Sequence, residues 1–319
     1  MPAMRLDESA KGVFIIAATP FTDSGALDVD SIDSLTDFYI RSGVHGFTLL
    51  GMMGEAHKLS ADESLTVVRR VIARAGDRQV IVGVSHAGID NLRRLSHEVM
   101  NAGAAGVMVA PTPGLKGDDG IYAYYAQVFA ALGPDVPMVF QDYPQSTSVF
   151  LPVPVFNRLV DDFPQLVMLK HEDCPGLSKI TRIREDEKRP GRRRVSILVG
   201  NGGLYYVQEL RRGADGAMTG FAWPEMLVQV YTLFAAGKSE EAEDLYDLYL
   251  PLVRHEQQPG IGLALRKEVL RRRGAIRSAR QRTPGSSLGA TDLGELDNLI
   301  RRLERRLAAV GRASPLAAE

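Results

Sequence analysis

The sequence predicts an α/β fold: a (β/α)₈ barrel, or TIM barrel, with a C-terminal helical extension. Eight short apolar runs lie between residues 13 and 220, and a longer stretch with helical character separates each pair. The apolar runs are continuous rather than alternating, which is typical of parallel strands buried on both faces. A barrel is favoured over a doubly wound sheet, because no Gly-x-Gly-x-x-Gly motif follows the first strand.

The predicted strands begin with the run VFIIAA. They cover residues 13–18, 46–50, 80–84, 106–110, 137–141, 166–170, 195–200 and 216–220. The first helix is expected over 28–42, where Leu35 and Phe38 contribute to one apolar face. A capping box from Ser60 to Glu63 opens the next helix, which we expect to reach about Arg74. A third helix is predicted over 91–101.

A weak internal repeat supports the alternation of helix and strand. Three Gly-x-x-Gly segments stand between the end of a helical pattern and an apolar run, at 43–46, 103–106 and 213–216. The first glycine of each pair can adopt the left-handed conformation that ends a helix. The second permits close backbone approach where the strand begins. We therefore expect the same local geometry at all three places.

The chain divides into a barrel and a helical tail. We assign residues 8–236 to a catalytic (β/α)₈ domain and 237–310 to C-terminal helices. Those helices are predicted over 239–256, 260–274 and 291–309, with a Gly-, Ser- and Pro-rich loop at 282–290. We expect them to pack on the outside of the barrel or on a partner subunit.

Composition favours a cytoplasmic protein with a small-molecule partner. The formal net charge of −1 offers no bulk attraction to nucleic acid or to a membrane surface. The arginine-rich stretches 192–194 and 271–273 have acidic neighbours and are interpreted as solvated faces. Cys174 is the single cysteine, so no intrachain disulfide is possible. No signal peptide or membrane span is recognisable.

Lys170 is the sharpest chemical signal in the chain. Barrel enzymes carry their chemistry at the C-terminal ends of the strands, and Lys170 is the only lysine that closes an apolar run. Loss of hydration at such a position favours the neutral amine, which can attack the keto carbon of a 2-oxo acid. The alternative is a lysine that leaves the barrel and extends to water.

Other candidates follow strands two, five, six and seven. The two glycines of Gly51-Met52-Met53-Gly54 allow backbone N–H groups to converge on a carboxylate, although a plain β–α turn would look the same. Gln141 and Asp142 end the fifth strand, and Glu172 follows Lys170 by two residues as a candidate general acid or base. Gly200 and Asn201 open the loop after the seventh strand. The six histidines show no metal-binding spacing, so no metal and no other cofactor is predicted.

Together these motifs resemble the dihydrodipicolinate synthase/N-acetylneuraminate lyase family, over almost the whole chain. The resemblance rests on TPF (19–21), GMMGE (51–55), Pro137 to Pro144, Lys170 and the Gly200 loop. It implies a (β/α)₈ barrel with C-terminal helices, usually assembled as a homotetramer. It also implies Schiff-base cleavage, condensation or dehydration of 2-oxo acids such as pyruvate, without a cofactor.

Several positions depart from the synthase pattern. The two threonines of its Gly-Thr-Thr-Gly-Glu turn are replaced by Met52 and Met53, and its strand-five tyrosine is replaced by Gln141. Its Pro-Tyr-Tyr motif after strand four is PTP (111–113) here, and its substrate-binding arginine falls at Ser146. These differences argue against dihydrodipicolinate synthase activity.

Gln141-Asp142-x-Pro144, Lys170-x-Glu172 and the tail segment 255–261 are instead similar to the branch that dehydrates 2-keto-3-deoxy sugar acids. That resemblance implies an imine on Lys170, carboxylate binding by the Met52–Met53 backbone, proton transfer by Glu172 and substrate orientation by Gln141.

Two alternatives stay open. The first is a pyruvate-dependent aldolase or hydratase-aldolase that cleaves a 4-hydroxy-2-oxo acid. The apolar Met52 and Met53 would suit an aromatic aldehyde in such a reaction. The second is a catalytically silent paralogue that binds the ligand without turnover.

Overall fold

The computed structural model, which describes residues 5–174 and 176–312, contains a closed barrel of eight parallel strands paired in chain order. The strands are β1 Gly12–Ile16, β2 Gly46–Leu49, β3 Gln79–Gly83, β4 Gly106–Val109, β5 Met138–Asp142, β6 Leu166–His171, β7 Ser196–Val199 and β8 Gly216–Thr219. Pairing of β1 with β8 closes the barrel. The predicted (β/α)₈ fold is confirmed, and every predicted strand overlaps the observed one.

Helices follow the strands around the outside of the barrel. They are α1 Val29–Arg41, α2 Ala61–Arg74, α3 Ile89–Asn101, α4 Asp118–Leu132, α5 Pro144–Thr147, α6 Val153–Asp162, α7 Leu177–Asp186, α8 Tyr206–Arg211, α9 Pro224–Ala235, α10 Ser239–Glu256, α11 Gly262–Arg272 and α12 Ala290–Ala309. Asp28 caps α1 by accepting a hydrogen bond from the Ser31 N–H. Ser60 and Glu63 form the predicted capping box on α2.

The three predicted glycine pairs share one geometry. The first glycines, at 43, 103 and 213, have φ values of +80°, +104° and +95° and end the preceding helices. At the second glycines a side chain would collide with a neighbouring strand; a Cβ on Gly106, for example, would lie 2.9 Å from the Pro137 carbonyl oxygen. Both parts of the prediction are confirmed: the first glycine lets the chain turn sharply at the end of the helix, and the second lets the strand begin in close contact with its neighbour.

Two apolar layers hold the fold together. The barrel interior is filled by side chains that alternate along the strands, including Phe14, Ile81, Met108, Val139 and Met168. A larger layer fills the space between the strands and the surrounding helices. The interior side chains fix which residues point inward at the end of each strand, and so they determine the layout of the site.

The C-terminal helices pack on the barrel of the same chain. Helix α10 contacts α8, α9, α11 and α12. Its Tyr246 hydroxyl donates to the Gly203 carbonyl at 2.7 Å, in the loop after β7. Glu256, at the end of α10, pairs with Arg266 of α11 at 3.0 Å and accepts from the Ala222 N–H after β8. Within the described part of the chain, no helix is long and apolar enough to cross a membrane.

Candidate active site

Strand alternation brings Gln141 and Lys170 to the inner face of the barrel. Val139 and Met168 belong to the interior layer, and the residues two positions later point in the same direction. Gln141 and Lys170 are also direct partners in the β5–β6 pairing. Both are nearly inaccessible, with exposed fractions of 4% and 2%.

Glu172 joins these two side chains. One of its carboxylate oxygens, Oε2, lies 2.8 Å from the Lys170 Nζ atom and accepts a 2.8 Å hydrogen bond from the Gln141 side-chain amide. Glu172 is itself buried. A buried charge is tolerated only when it is paired and hydrogen-bonded. Here Lys170 balances the Glu172 charge, and the Gln141 amide supplies a hydrogen bond to the carboxylate. The arrangement places a proton acceptor in direct contact with an amine, which is suited to moving protons at that amine.

Gly200 and Asn201 define the space that Glu172 occupies. A Cβ on Gly200 would lie 2.5 Å from Glu172 Oε1 and 2.6 Å from its Cδ, so only glycine leaves room for the carboxylate. The Asn201 side-chain amide donates to the Glu172 backbone carbonyl at 3.0 Å. Both residues were predicted as substrate ligands; the structure places them against Glu172.

The Gly51–Gly54 segment forms a short 3₁₀ turn above β2. The turn covers Met52–Gly54, and its opening N–H groups belong to Met52 and Met53. The first N–H groups of a helical turn have no acceptor within the turn, which leaves them available to an anion. Thr19 fixes the turn by donating to the Gly54 carbonyl at 2.6 Å. Met53 also packs against the apolar interior of the barrel.

Glu55 anchors this turn through buried ion pairs. It adopts a left-handed backbone conformation (φ 54°) and is 1% exposed. Its carboxylate pairs with Lys58 at 2.8 Å and with the fully buried Lys267 of α11. Burial lowers the pKa of Lys267, and the Glu55 charge opposes that effect. No sequence pattern reveals the Lys267 contact, because the two residues are 212 positions apart.

Asp142, predicted as a substrate ligand, points to the outer face of the barrel. It pairs in the sheet with His171 rather than with Lys170. Its carboxylate accepts from the Lys179 Nζ atom of α7 at 2.6 Å and lies 3.6 Å from His171 Nδ1. The structure therefore does not bring Asp142 into the group formed by Lys170, Glu172 and Gln141.

A cavity of about 670 Å³ reaches this group at Gln141. Gly51, Met52 and Gln141 are among the residues that line it. Met52 is 38% exposed, and its sulfur accepts a 3.2 Å contact from the Ser146 hydroxyl. The volume is ample for a small organic acid.

Tyr143 lies next to the site but was not among the predicted site residues. Burial, reinforced by the Glu172 charge, raises the pKa of the half-buried Tyr143 phenol. The phenol therefore remains a hydrogen-bond donor at neutral pH. Its position two residues beyond Gln141 was the available signal.

The fold and site together define a (β/α)₈-barrel protein with a buried lysine–carboxylate centre at the C-terminal ends of its strands. Residues 9–303 match the model of the dihydrodipicolinate synthetase family, so the chain belongs to that family. This places it among the family's lyases.

Individual relatives carry different names. A protein from Azospirillum brasilense named L-2-keto-3-deoxyarabonate dehydratase is 29% identical over 303 residues, which cover 92% of this chain and 94% of the relative. A 4-hydroxy-tetrahydrodipicolinate synthase from Sorangium cellulosum (strain So ce56) is 31% identical over 306 residues, covering 93% and 97%. The crystal structure of dihydrodipicolinate synthase from Rhodopseudomonas palustris is 50% identical, with a TM-score of 0.92, and covers 94% of this chain and 100% of that one.

Proposed function

We propose that the protein is a Schiff-base lyase that removes water from a 2-keto-3-deoxy sugar acid. The observation that carries the proposal is the Glu172 carboxylate, which contacts both Lys170 and Gln141 at 2.8 Å. An amine with a carboxylate at hydrogen-bond distance has the groups needed for imine formation and for proton transfer at the adjacent carbon.

The chemistry begins when the Lys170 amine adds to the C2 carbonyl of the substrate. Loss of that oxygen as water leaves a protonated imine, which withdraws electrons from C3. Glu172 takes the C3 proton, and the electron pair of the C–H bond forms the enamine. When the enamine electrons return, the C4–oxygen bond breaks, and the proton held by Glu172 leaves with the hydroxyl as a second water. Hydrolysis of the conjugated imine then frees Lys170 and the unsaturated 2-oxo acid.

The remaining residues bind and orient the substrate. The substrate carboxylate is received by the N–H groups of Met52 and Met53, because anions are stabilised at the start of a helical turn. Gln141 holds the Glu172 carboxylate and borders the cavity, so its amide can also orient the substrate. The dehydratase name of the Azospirillum relative supports this substrate class.

A second candidate keeps the same imine but cleaves a carbon–carbon bond. Met52 presents an exposed apolar surface to the cavity, which favours an aldehyde product with an apolar group. In this alternative, pyruvate and an aldehyde are released from a 4-hydroxy-2-oxo acid. Product analysis for pyruvate separates this reaction from dehydration.

The test uses pyruvate as a probe, because it needs no knowledge of the natural substrate. Borohydride reduction in the presence of pyruvate should attach a single adduct to Lys170, identified by peptide mass spectrometry. Lys170→Ala, with its fold checked by circular dichroism because the variant leaves Glu172 unpaired, should carry no adduct. An adduct on another lysine, or none with several 2-oxo acids, would refute the proposal.

Proton transfer is measured separately, as exchange of the pyruvate methyl protons in D₂O followed by NMR. Glu172→Gln should reduce this exchange by about 10²- to 10⁴-fold, the usual contribution of a general acid–base, while trapping on Lys170 persists. Asp142→Asn provides the comparison and should lose less, because the Glu172 carboxylate that carries the proton is still present. If Glu172→Gln is unaffected and Asp142→Asn is inactive, the acid–base role belongs to β5. A screen of keto-deoxy acids then identifies the substrate.

Resemblance to the family also leads us to propose a cytoplasmic homotetramer. Multi-angle light scattering on the purified chain tests the assembly, and a monomer at micromolar concentration would contradict it.

A further inference from the structure

A buried cation lies behind the active-site strands, on the side opposite the cavity. Lys179 of α7 is 9% exposed, and its Nζ atom donates to Asp142 at 2.6 Å and to Asp173 at 3.2 Å. Asp142 is 1% exposed, and the His171 Nδ1 atom lies 3.6 Å from its carboxylate. The buried Tyr125 phenol, whose pKa is raised by burial and further by the Asp142 charge, is another titratable neighbour. Removing one member of such a pair leaves an uncompensated buried charge, so the contact between Lys179 and Asp142 is firmly held.

The two aspartates flank the elements that carry the active-site carboxylate. Asp142 follows Gln141 at the end of β5, and its backbone carbonyl accepts a 2.9 Å hydrogen bond from the Glu172 N–H. Asp173 follows Glu172 directly. From the outer face of the barrel, Lys179 therefore binds both Asp142, whose backbone is hydrogen-bonded to Glu172, and Asp173, which follows Glu172 in the chain.

On the inner face, Glu172 connects the same two strand ends. Its carboxylate contacts Gln141 of β5 and Lys170 of β6, each at 2.8 Å. The last pair in the β5–β6 ladder is Asp142 with His171, and beyond it the chain continues into the loop that contains Glu172 and Asp173. The Glu172 N–H still bonds to the Asp142 carbonyl, but Glu172 lies one residue beyond the last pair of the ladder, so sheet pairing alone does not set the direction of its side chain.

We propose that Lys179 is a positioning residue, which holds the Glu172 carboxylate against Lys170 by clamping Asp142 and Asp173 together. The inference rests on the proton-transfer role proposed for Glu172. Lys179 does not touch the substrate, because its side chain lies on the outer face of the sheet. Its effect is confined to the geometry of proton transfer, since Lys170 is fixed within β6 by the ladder.

Lys179→Met tests the clamp, because it keeps the length of the side chain and removes the charge. Exchange of the pyruvate methyl protons in D₂O should fall about 10- to 100-fold, since a misplacement of about 1 Å can cost up to about 10²-fold in rate. Borohydride trapping of pyruvate on Lys170 should remain at the wild-type level. Lys179→Arg, which restores the charge, should recover most of the exchange. Lys188→Met is the matched control at an exposed position after α7 and should behave like the wild type.

A structural role alone would lower the folded fraction but leave both reactions unchanged per folded molecule. If Lys179→Met does not fold, the double variant Asp142→Asn/Lys179→Met removes both buried charges and is measured instead. Wild-type exchange in either folded variant would overturn the clamp, as would equal loss of trapping and exchange. The proposed function fails on a different result, namely Glu172→Gln with undiminished exchange.

Discussion

Gly200→Ala is the substitution that most directly tests whether the position of Glu172 controls the chemistry. The new methyl carbon would lie 2.5 Å from Oε1 and 2.6 Å from Cδ of Glu172, in the geometry observed. Ordinary contact needs about 3.5 Å or more, so the carboxylate must move by roughly 1 Å. Such a displacement breaks the 2.8 Å contacts to Lys170 and Gln141. A misplacement of about 1 Å can cost about 10²-fold in rate.

The assay compares two reactions of pyruvate on the same protein. Methyl-proton exchange in D₂O should fall about 10²-fold in Gly200→Ala, because it requires the displaced carboxylate. Borohydride trapping should persist, because Lys170 is held by β6. Gly294→Ala is the matched control, since a methyl group there would meet nothing within 4 Å. Undiminished exchange in Gly200→Ala would refute the argument that the contacts of Glu172 set the rate.

Two further predictions concern the absent synthase features and a buried carboxylate. Condensation of pyruvate with aspartate semialdehyde should be very weak, because a charge-assisted clamp worth about 1.5–3 kcal/mol, or about 10- to 150-fold in binding, is replaced by Ser146; condensation at rates ordinary for an enzyme would show that these substitutions were misread. Burial raises the pKa of Glu209 on α8 from an ordinary 4.5 to about 8, so the folded chain keeps a proton there that the unfolded chain releases. The stability that this proton supplies is complete below about pH 4.5 and is lost as the pH rises to about 8. The free energy of unfolding of Glu209→Gln, measured with urea, should therefore rise by a few kcal/mol relative to the wild type between about pH 5 and pH 8.5. Parallel pH profiles for the two proteins would contradict the raised pKa.

The strands and most of the helices we outlined could be predicted because their signals are local. Each strand is a short continuous apolar run, and the capping box at Ser60 depends on residues three positions apart. Helix boundaries agree within about two residues, as expected when caps compete with neighbouring turns. Short elements such as α5 were not predicted, because four residues starting at Pro144 carry too little periodicity.

The candidate site could be predicted only for residues whose direction follows from strand alternation. Lys170, Glu172 and Gln141 come together because residues two apart on a strand share a face and because β5 and β6 are neighbours. The same rule, applied properly, sends Asp142 to the opposite face. The ion pairs of Glu55 with Lys267 and of Asp142 with Lys179 depend on how helices pack, so no spacing in the sequence reveals them.

The names of the relatives do not decide the reaction, because most of the shared sequence builds the barrel. A relative named a dehydratase and another named a synthase each match more than nine-tenths of this chain, so 50% identity to a synthase structure establishes the scaffold. The chemistry depends on which group beside Lys170 can carry a proton. The amide of Gln141 does not titrate, and here it donates to Glu172 at 2.8 Å. Because the same carboxylate oxygen contacts Lys170, Glu172 is the group placed to carry protons at the proposed imine, and this role is the one that dehydration requires.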